Sequence, residues 1–247
     1  MSSLTVQIHE DKYAVSAEAA RITQNYLMET LNKQDEATVL LATGNSQIKF
    51  LEALTDSRKI DWSRVNFLHL DEYLNIDKDH PASFHTYLRA KVENKIKAKS
   101  FNYLLGDTLE PLQECIRYSR LLRRRKVDIC FLGVGVNGHL AFNEPQAENF
   151  NDFDLVKIVE LDLNTRCSQV DQNYFQSIEN VPKYALTVTI PMILSVKRIL
   201  CLATGENKAK IVKIMLQNNI SSKCPSSILR QHSDTTLLLD KCSASLL

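Results

Sequence analysis

The sequence predicts a three-layer α/β/α fold, a mainly parallel sheet with helices on both faces. Three observations carry that expectation. Compact apolar runs alternate along the chain with stretches whose apolar residues recur at helical spacing. Two runs, ATVLLA at 37–42 and KRILCLA at 197–203, are apolar at nearly every position, as strands covered on both sides are. Glycine-containing polar turns follow the runs, TGNS at 43–46, GVGVNGH at 133–139 and TG at 204–205, and such turns punctuate the strand-to-helix units of a Rossmann-like sheet.

Taken in order, residues 12–33 carry Ala, Ile, Tyr and Leu at helical spacing and lead into the strand at 37–42. A helix follows at about 46–54, then a strand at 65–70 that runs into Asp71-Glu72-Tyr73. Pro81 marks the start of a helix over about 83–99. A short strand at 101–105, a helix at about 109–125 and a strand at 127–132 repeat the alternation. The second half is less regular. Strands are expected at 155–161, 185–190 and 197–203, a helix containing Lys208 after Thr204-Gly205, and a closing strand at 236–239. The polar stretch 146–154 reads as a loop.

The 247 residues can bury a sizeable core, and with no repeat, no low-complexity linker and only 6 Gly and 6 Pro they read as a single domain, 1–247. With 30 Lys+Arg against 29 Asp+Glu the net charge is +1, so no field marks a nucleic-acid binder. The basic run at 120–126 ends a predicted helix, where cations favour the dipole. Six cysteines without CxxC or metal-like spacing read as reduced, packed thiols. No apolar stretch approaches a membrane span and the start of the chain has no signal-like apolar segment, so a cytoplasmic location is expected.

Parallel topology places the polar strand ends along one edge of the sheet. Thr43-Gly44-Asn45-Ser46 at a strand-to-helix turn offers free amides, a hydroxyl and the positive end of a helix, a phosphate grip to which Lys208 adds countercharge. The alternative is a plain turn with a Ser N-cap. Asp71 directly follows an apolar strand, where partial desolvation would raise its pKa toward that of a usable base; a surface or helix-capping role is the alternative. His139 and Glu144 stand five residues apart and could pair, the carboxylate orienting the imidazole, against the alternative of a structural histidine. GVGVNG at 133–138 is literally GxGxxG with Asp162 beyond it, but Pro145 leaves no room for the long helix a dinucleotide site needs. A metal site from His69, Asp71, His80 and His85 lacks the spacing of zinc ligands.

LATGNSQ at 41–47, NFLHLDEYLNIDKDHPASFHTYL at 66–88, GVGVNGHLAFNEP at 133–145, VPKYALTVTIP at 181–191 and TGENKAK at 204–210 together resemble the glucosamine-6-phosphate deaminase (isomerase) family, which shares its fold with the 6-phosphogluconolactonases. The resemblance implies a sugar-phosphate substrate that opens, isomerises and loses ammonia to give fructose 6-phosphate, with no metal or organic cofactor. It implies Asp71 as the base between C2 and C1, His139 at the ring oxygen, Glu144 tuning that histidine, and the 43–46 turn, Arg166 and Lys208 on the 6-phosphate. A monomer or small homo-oligomer is expected, with no nucleic-acid or membrane partner.

Departures are visible. Asn137 stands where well-studied members have Asp, TGNSQ replaces TGGTP, and a later phosphate-contacting arginine has no counterpart in DQNYF. The chain stops at Leu247 without the longer tail of allosteric members, so no allosteric activation is expected. LATG, Asn137 and CPSSILRQH also resemble relatives assigned to galactosamine 6-phosphate, which would give tagatose 6-phosphate. Lactone hydrolysis with His139 as base and a catalytically silent sugar-phosphate sensor are further alternatives.

Overall fold

The computed structural model describes residues 4–145 and 149–247. The first three positions of the expected loop at 146–154 lie outside the described residues. In chain order the elements are β1 (Leu4–His9), α1 (Lys12–Lys33), β2 (Ala37–Leu41), α2 (Asn45–Thr55), β3 (Val65–His69), β4 (Asp71–Tyr73), α3 (Phe84–Lys91), β5 (Ser100–Phe101), α4 (Pro111–Arg124) and β6 (Ile129–Gly133). Then come β7 (Val156–Glu160), α5 (Leu163–Asp171), β8 (Tyr184–Val188), α6 (Ile190–Leu194), β9 (Arg198–Ala203), α7 (Ala209–Gln217) and β10 (Thr235–Asp240).

Seven strands form a parallel sheet in the order β1-β10-β9-β6-β2-β3-β5. β2 shows why this sheet is central: all five of its residues are buried, with Val39 and Leu41 packed on one side and Leu40 on the other. Continuous apolar runs are required where both faces are covered. From β2 the chain proceeds to β3 on one side, whereas β6 is followed in the sheet by β9 on the other. The order therefore reverses between β2 and β6, and crevices for ligands open at such a switch beyond the carboxyl ends of the strands.

The expected parallel architecture holds, with one substantial addition. β4, β8 and β7 form a second, antiparallel sheet of three strands. The segments at 155–161 and 185–190 therefore do not join the main sheet, and Asp71-Glu72-Tyr73, at the end of β3, forms a strand of its own. In VKIVE buried positions alternate irregularly with half-exposed and exposed ones, as in a strand that is not enclosed on both faces. β1 carries no apolar run that marks it in the sequence, and none of its residues is buried; it adds to the edge beside β10. The helix expected over 83–99 stops at Lys91, where Val92 leaves helical geometry. Of the cysteines, Cys167 and Cys242 are exposed rather than packed; all six are free thiols. No helix among the described residues is long and apolar enough to cross a membrane.

Candidate active site

The crevice at the switch point is a cavity of about 920 Å³ lined by the turns after β2, β6 and β9, by Asp71 of β4 and by one side of α5. Thr43, Gly44, Asn45, Ser46, Asp71, Asn137, His139 and Lys208 all border it. Eight separate stretches of sequence thus contribute to one space.

The turn after β2 leaves a helix start open toward the cavity. Gly44 caps α2 at φ 96°, a conformation that favours glycine, and no side chain caps the helix. The amides of Asn45 and Ser46 head the helix without acceptors inside it, and the positive end of the helix faces the cavity. This rules out the plain Ser-capped turn, because Ser46 lies within the helix. The turn is braced from three sides: Tyr87 donates to the Gly44 carbonyl at 3.0 Å, Gln47 Nε2 donates to Ser46 Oγ at 3.1 Å, and a Cβ on Gly133 would stand 3.2 Å from that hydroxyl.

Lys208 also lines the cavity, half-buried, and among the described residues its ammonium has no acidic partner. Burial holds its pKa below the usual lysine value, opposed by nearby Cys201. A desolvated cation without a counterion gains most when an anion arrives. The Thr204-Gly205 turn before it contributes less than expected, since the Gly205 amide is already donated to the Asp240 carboxylate at 3.0 and 3.1 Å. Lys12 at the start of α1 also borders the cavity and was not singled out from sequence, where it reads as one more helix-surface lysine.

Asp71 is 6% exposed, and its backbone lies in β4, opposite Thr187 of β8. Burial pushes its carboxyl well above the usual range, and the neighbouring charge of Glu72 adds to that. Glu72 points the other way, into the start of α3. Its oxygens accept from the amides of Tyr73, Phe84 and His85 and from the Ser83 hydroxyl, at 2.8 to 3.1 Å. Burial still pushes the Glu72 carboxyl up to about 7 against those contacts. Two adjacent carboxylates therefore have separate tasks, one facing the cavity and one locking a helix.

The segment after β6 places His139 through a tight reverse turn. Gly135 donates its amide to the His139 carbonyl at 3.0 Å, and Gly138 donates to the Gly135 carbonyl at 2.9 Å. The imidazole lies directly over Gly135, where a Cβ would stand 2.4 Å from Nε2. Glu144 is 4% exposed, with Oε2 3.4 Å from His139 Nδ1. Asn137 ties the two together, donating from Nδ2 to that same Oε2 at 2.8 Å while Oδ1 accepts the His139 amide at 3.1 Å. Burial alone would raise the Glu144 carboxyl, but contacts with His139, Thr165 and Asn137 outweigh it and hold the group below the usual range. The following residues are pinned to β8, with Asn143 Nδ2 donating to the Val188 carbonyl at 2.9 Å. No helix is described between β6 and β7, as the reading of GVGVNG against a dinucleotide site expects.

Arg166 is placed differently from the expectation. Its guanidinium donates to the carbonyls of Ile178 and Val181 at 2.7 and 3.0 Å and does not border the cavity, so the loop after α5 takes the charge the phosphate was expected to use. Thr165, Gln172 and Tyr174, around the same helix, do border it. Sequence reading passed over them because hydroxyl and amide residues in a polar stretch carry no spacing signal.

Fold and site together define an α/β enzyme whose crevice brings the free amides of the 43–46 turn, a lysine, a carboxylate and an imidazole to one space. The chain belongs to the family described as glucosamine-6-phosphate isomerases/6-phosphogluconolactonase, whose model matches residues 10–238. Glucosamine-6-phosphate deaminase 1 of Bacillus subtilis (strain 168) is 36% identical over 100% of this chain and 99% of its own length. A glucosamine-6-phosphate deaminase of Exiguobacterium sibiricum is 35% identical over 93% of this chain and 89% of its own. Among solved structures, a monomeric glucosamine-6-phosphate deaminase superposes with a TM-score of 0.89 at 34% identity, covering 98% of this chain and all of the other. The 6-phosphogluconolactonase of Trypanosoma brucei superposes at 0.84 with 17% identity over the full length of both chains, a likeness of fold.

Proposed function

We propose that this chain is a glucosamine-6-phosphate deaminase/isomerase that works as a single domain, as a monomer or small homo-oligomer, in the cytoplasm. The observation that carries the reading is the convergence of Asp71 and the His139–Glu144 pair on the cavity that the 43–46 turn and Lys208 also line.

The 6-phosphate sits on the free amides of the turn with Lys208 as its countercharge, and Lys12 is the other lysine on the cavity wall. Binding energy from this handle holds C1 and C2 against the catalytic groups. His139 moves a proton to the ring oxygen as the C1–O bond opens, and the ionised Glu144 stabilises the imidazolium form. Asp71 then takes the proton from C2 and returns it to C1, turning the 2-amino aldose into a 2-imino compound. Water adds at C2 and ammonia leaves, giving the ketose phosphate. A carboxylate whose proton affinity is raised by burial is a stronger base than one in water, which is what the C2–H bond demands.

The test is ammonia release from glucosamine 6-phosphate and galactosamine 6-phosphate, side by side, with the ketose product identified. Release from the gluco epimer with fructose 6-phosphate formed supports the assignment, and release from the galacto epimer alone reassigns the substrate. Asp71→Asn should abolish deamination and leave sugar-phosphate binding largely intact; near wild-type turnover in that variant overturns the mechanism.

A further inference from the structure

Asn45 contributes its amide to the anion-binding turn, yet its side chain does something else. Oδ1 accepts from the Tyr174 hydroxyl at 2.9 Å, and Nδ2 donates to Gln172 Oε1 at 3.2 Å. Both partners lie more than 120 residues further along the chain, at and just beyond the end of α5. They are held from behind. Gln172 Nε2 donates to Ser168 Oγ at 2.9 Å, the Tyr174 amide donates to the Gln169 carbonyl at 3.0 Å, and Asn173 takes a left-handed φ of 61° that turns the chain back on the helix. From Asn164 and Thr165 near its start to Gln172 at its end, α5 lines the cavity, and Thr165 is 4% exposed. One nine-residue helix is thus tied to the anion-binding turn at its end and forms a wall of the cavity along its length.

Position 45 needs a side chain that accepts and donates at once. Asparagine does both, and its two functions are both used. Glycine or alanine would keep the amide that faces the anion and lose both contacts to the α5 end. Asp would keep the acceptor, lose the donor and add a negative charge beside the anion.

We propose that Asn45 is a positioning residue that docks α5 onto the anion-binding turn, so that phosphate bound on the turn also orders the cavity wall that α5 forms. The proposal rests on the functional reading above for the identity of the substrate, but not for the contact itself. An anion that orders the turn orders Asn45, and Asn45 holds the end of α5. Loss of the contact should therefore appear in turnover more than in anion affinity.

The experiment compares Asn45→Ala, Tyr174→Phe and the double variant, with three readouts. Inorganic phosphate affinity, measured by competition or calorimetry, should change by less than about threefold, because the backbone amides remain. The kcat for amino-sugar phosphate should fall roughly tenfold in each single variant, the scale of one or two neutral hydrogen bonds lost. The double variant should be no worse than Asn45→Ala, since that substitution already breaks the contact to Tyr174. Inorganic phosphate should slow hydrogen exchange of residues 163–171 in the wild type and not in Asn45→Ala. Equal losses in phosphate affinity and kcat would make Asn45 an ordinary phosphate contact and overturn the proposal, as would additive losses in the double variant. Exchange in 163–171 that ignores phosphate overturns it as well. A wild type that releases no ammonia but shows Asn45-dependent slowing of exchange supports the coupling while removing the assigned reaction.

Discussion

Replacing Gly135 by Ala is the sharpest perturbation the site offers, because it adds one carbon under the imidazole and changes nothing else. That carbon would lie 2.4 Å from His139 Nε2 and 2.5 Å from Cδ2 and Cε1. Carbon contacts are comfortable only from about 3.5 Å, so the ring must withdraw by about 1 Å. Gly135 is not among the glycines with positive φ, so the substitution brings no backbone strain to confuse the result. The withdrawal has nowhere harmless to go, because the turn from Gly135 to His139 is closed by its own hydrogen bonds and Glu144 is fixed by Asn137. A displacement of about 1 Å at a catalytic group costs about a hundredfold in rate, close to 2.7 kcal/mol of barrier. The assay is kcat/KM for ammonia release from glucosamine 6-phosphate, with the melting temperature as a check on folding and inorganic phosphate inhibition as a check on the anion site. The expected result is a loss of about two orders of magnitude with phosphate inhibition changed by less than about threefold, the two regions being separate. Gly135→Ala with kcat/KM within about threefold of wild type would show that the ring need not sit where the turn puts it.

The buried carboxylates should respond to pH in opposite senses. Asp71 has a raised pKa, so its ionisation costs stability as pH climbs above the ordinary value of 3.8; Asp71→Asn should melt higher than wild type near neutrality, the gain disappearing below that value. Glu144 has a lowered pKa, so Glu144→Gln should melt lower at neutrality, the deficit vanishing as pH falls below 4.5 and through the lowered value. Thermal melts across pH 3 to 8 on the order of one pH step apart test both, and like signs would contradict the burial argument. Lys208→Ala should raise KM roughly 10- to 100-fold, the worth of a charge-assisted hydrogen bond, with a smaller change in kcat; a steady-state titration that finds KM unmoved removes Lys208 from the phosphate site. Gly106→Ala should cost about 1–3 kcal/mol or more in denaturant unfolding, because a Cβ there would meet the Tyr73 carbonyl at 2.1 Å and press on the strand that carries Asp71.

The parallel core was legible because its strands are nearly continuous apolar runs, and the polar residues at their ends followed from topology once the strands were placed. Asp71, His139 and Glu144 stood out for that reason, as did the 43–46 turn. The second sheet was not legible. Three residues of Asp-Glu-Tyr carry no periodicity, and their pairing with β8 is decided by contacts 116 residues apart, Asp71 against Thr187. Arg166 illustrates the other limit. Position in a motif can point to phosphate, but whether a guanidinium reaches it depends on which carbonyls compete, here those of Ile178 and Val181. Thr165, Gln172 and Tyr174 become meaningful only through partners distant in sequence.

The passage from β3 to β4 crosses from one sheet to the other through a single residue, Leu70, whose amide donates to Leu41 of the parallel sheet at 3.0 Å and whose carbonyl accepts from Val188 of the antiparallel one at 2.8 Å. The next residue is Asp71. The residue before it is therefore stitched into two sheets at once, whereas another wall of the cavity is a short helix flanked by loops. Divergence on this scaffold should be lopsided: new substrates would be accommodated by rewriting 161–183, where insertions and substitutions disturb few strands, while the position of the carboxylate is inherited almost unaltered.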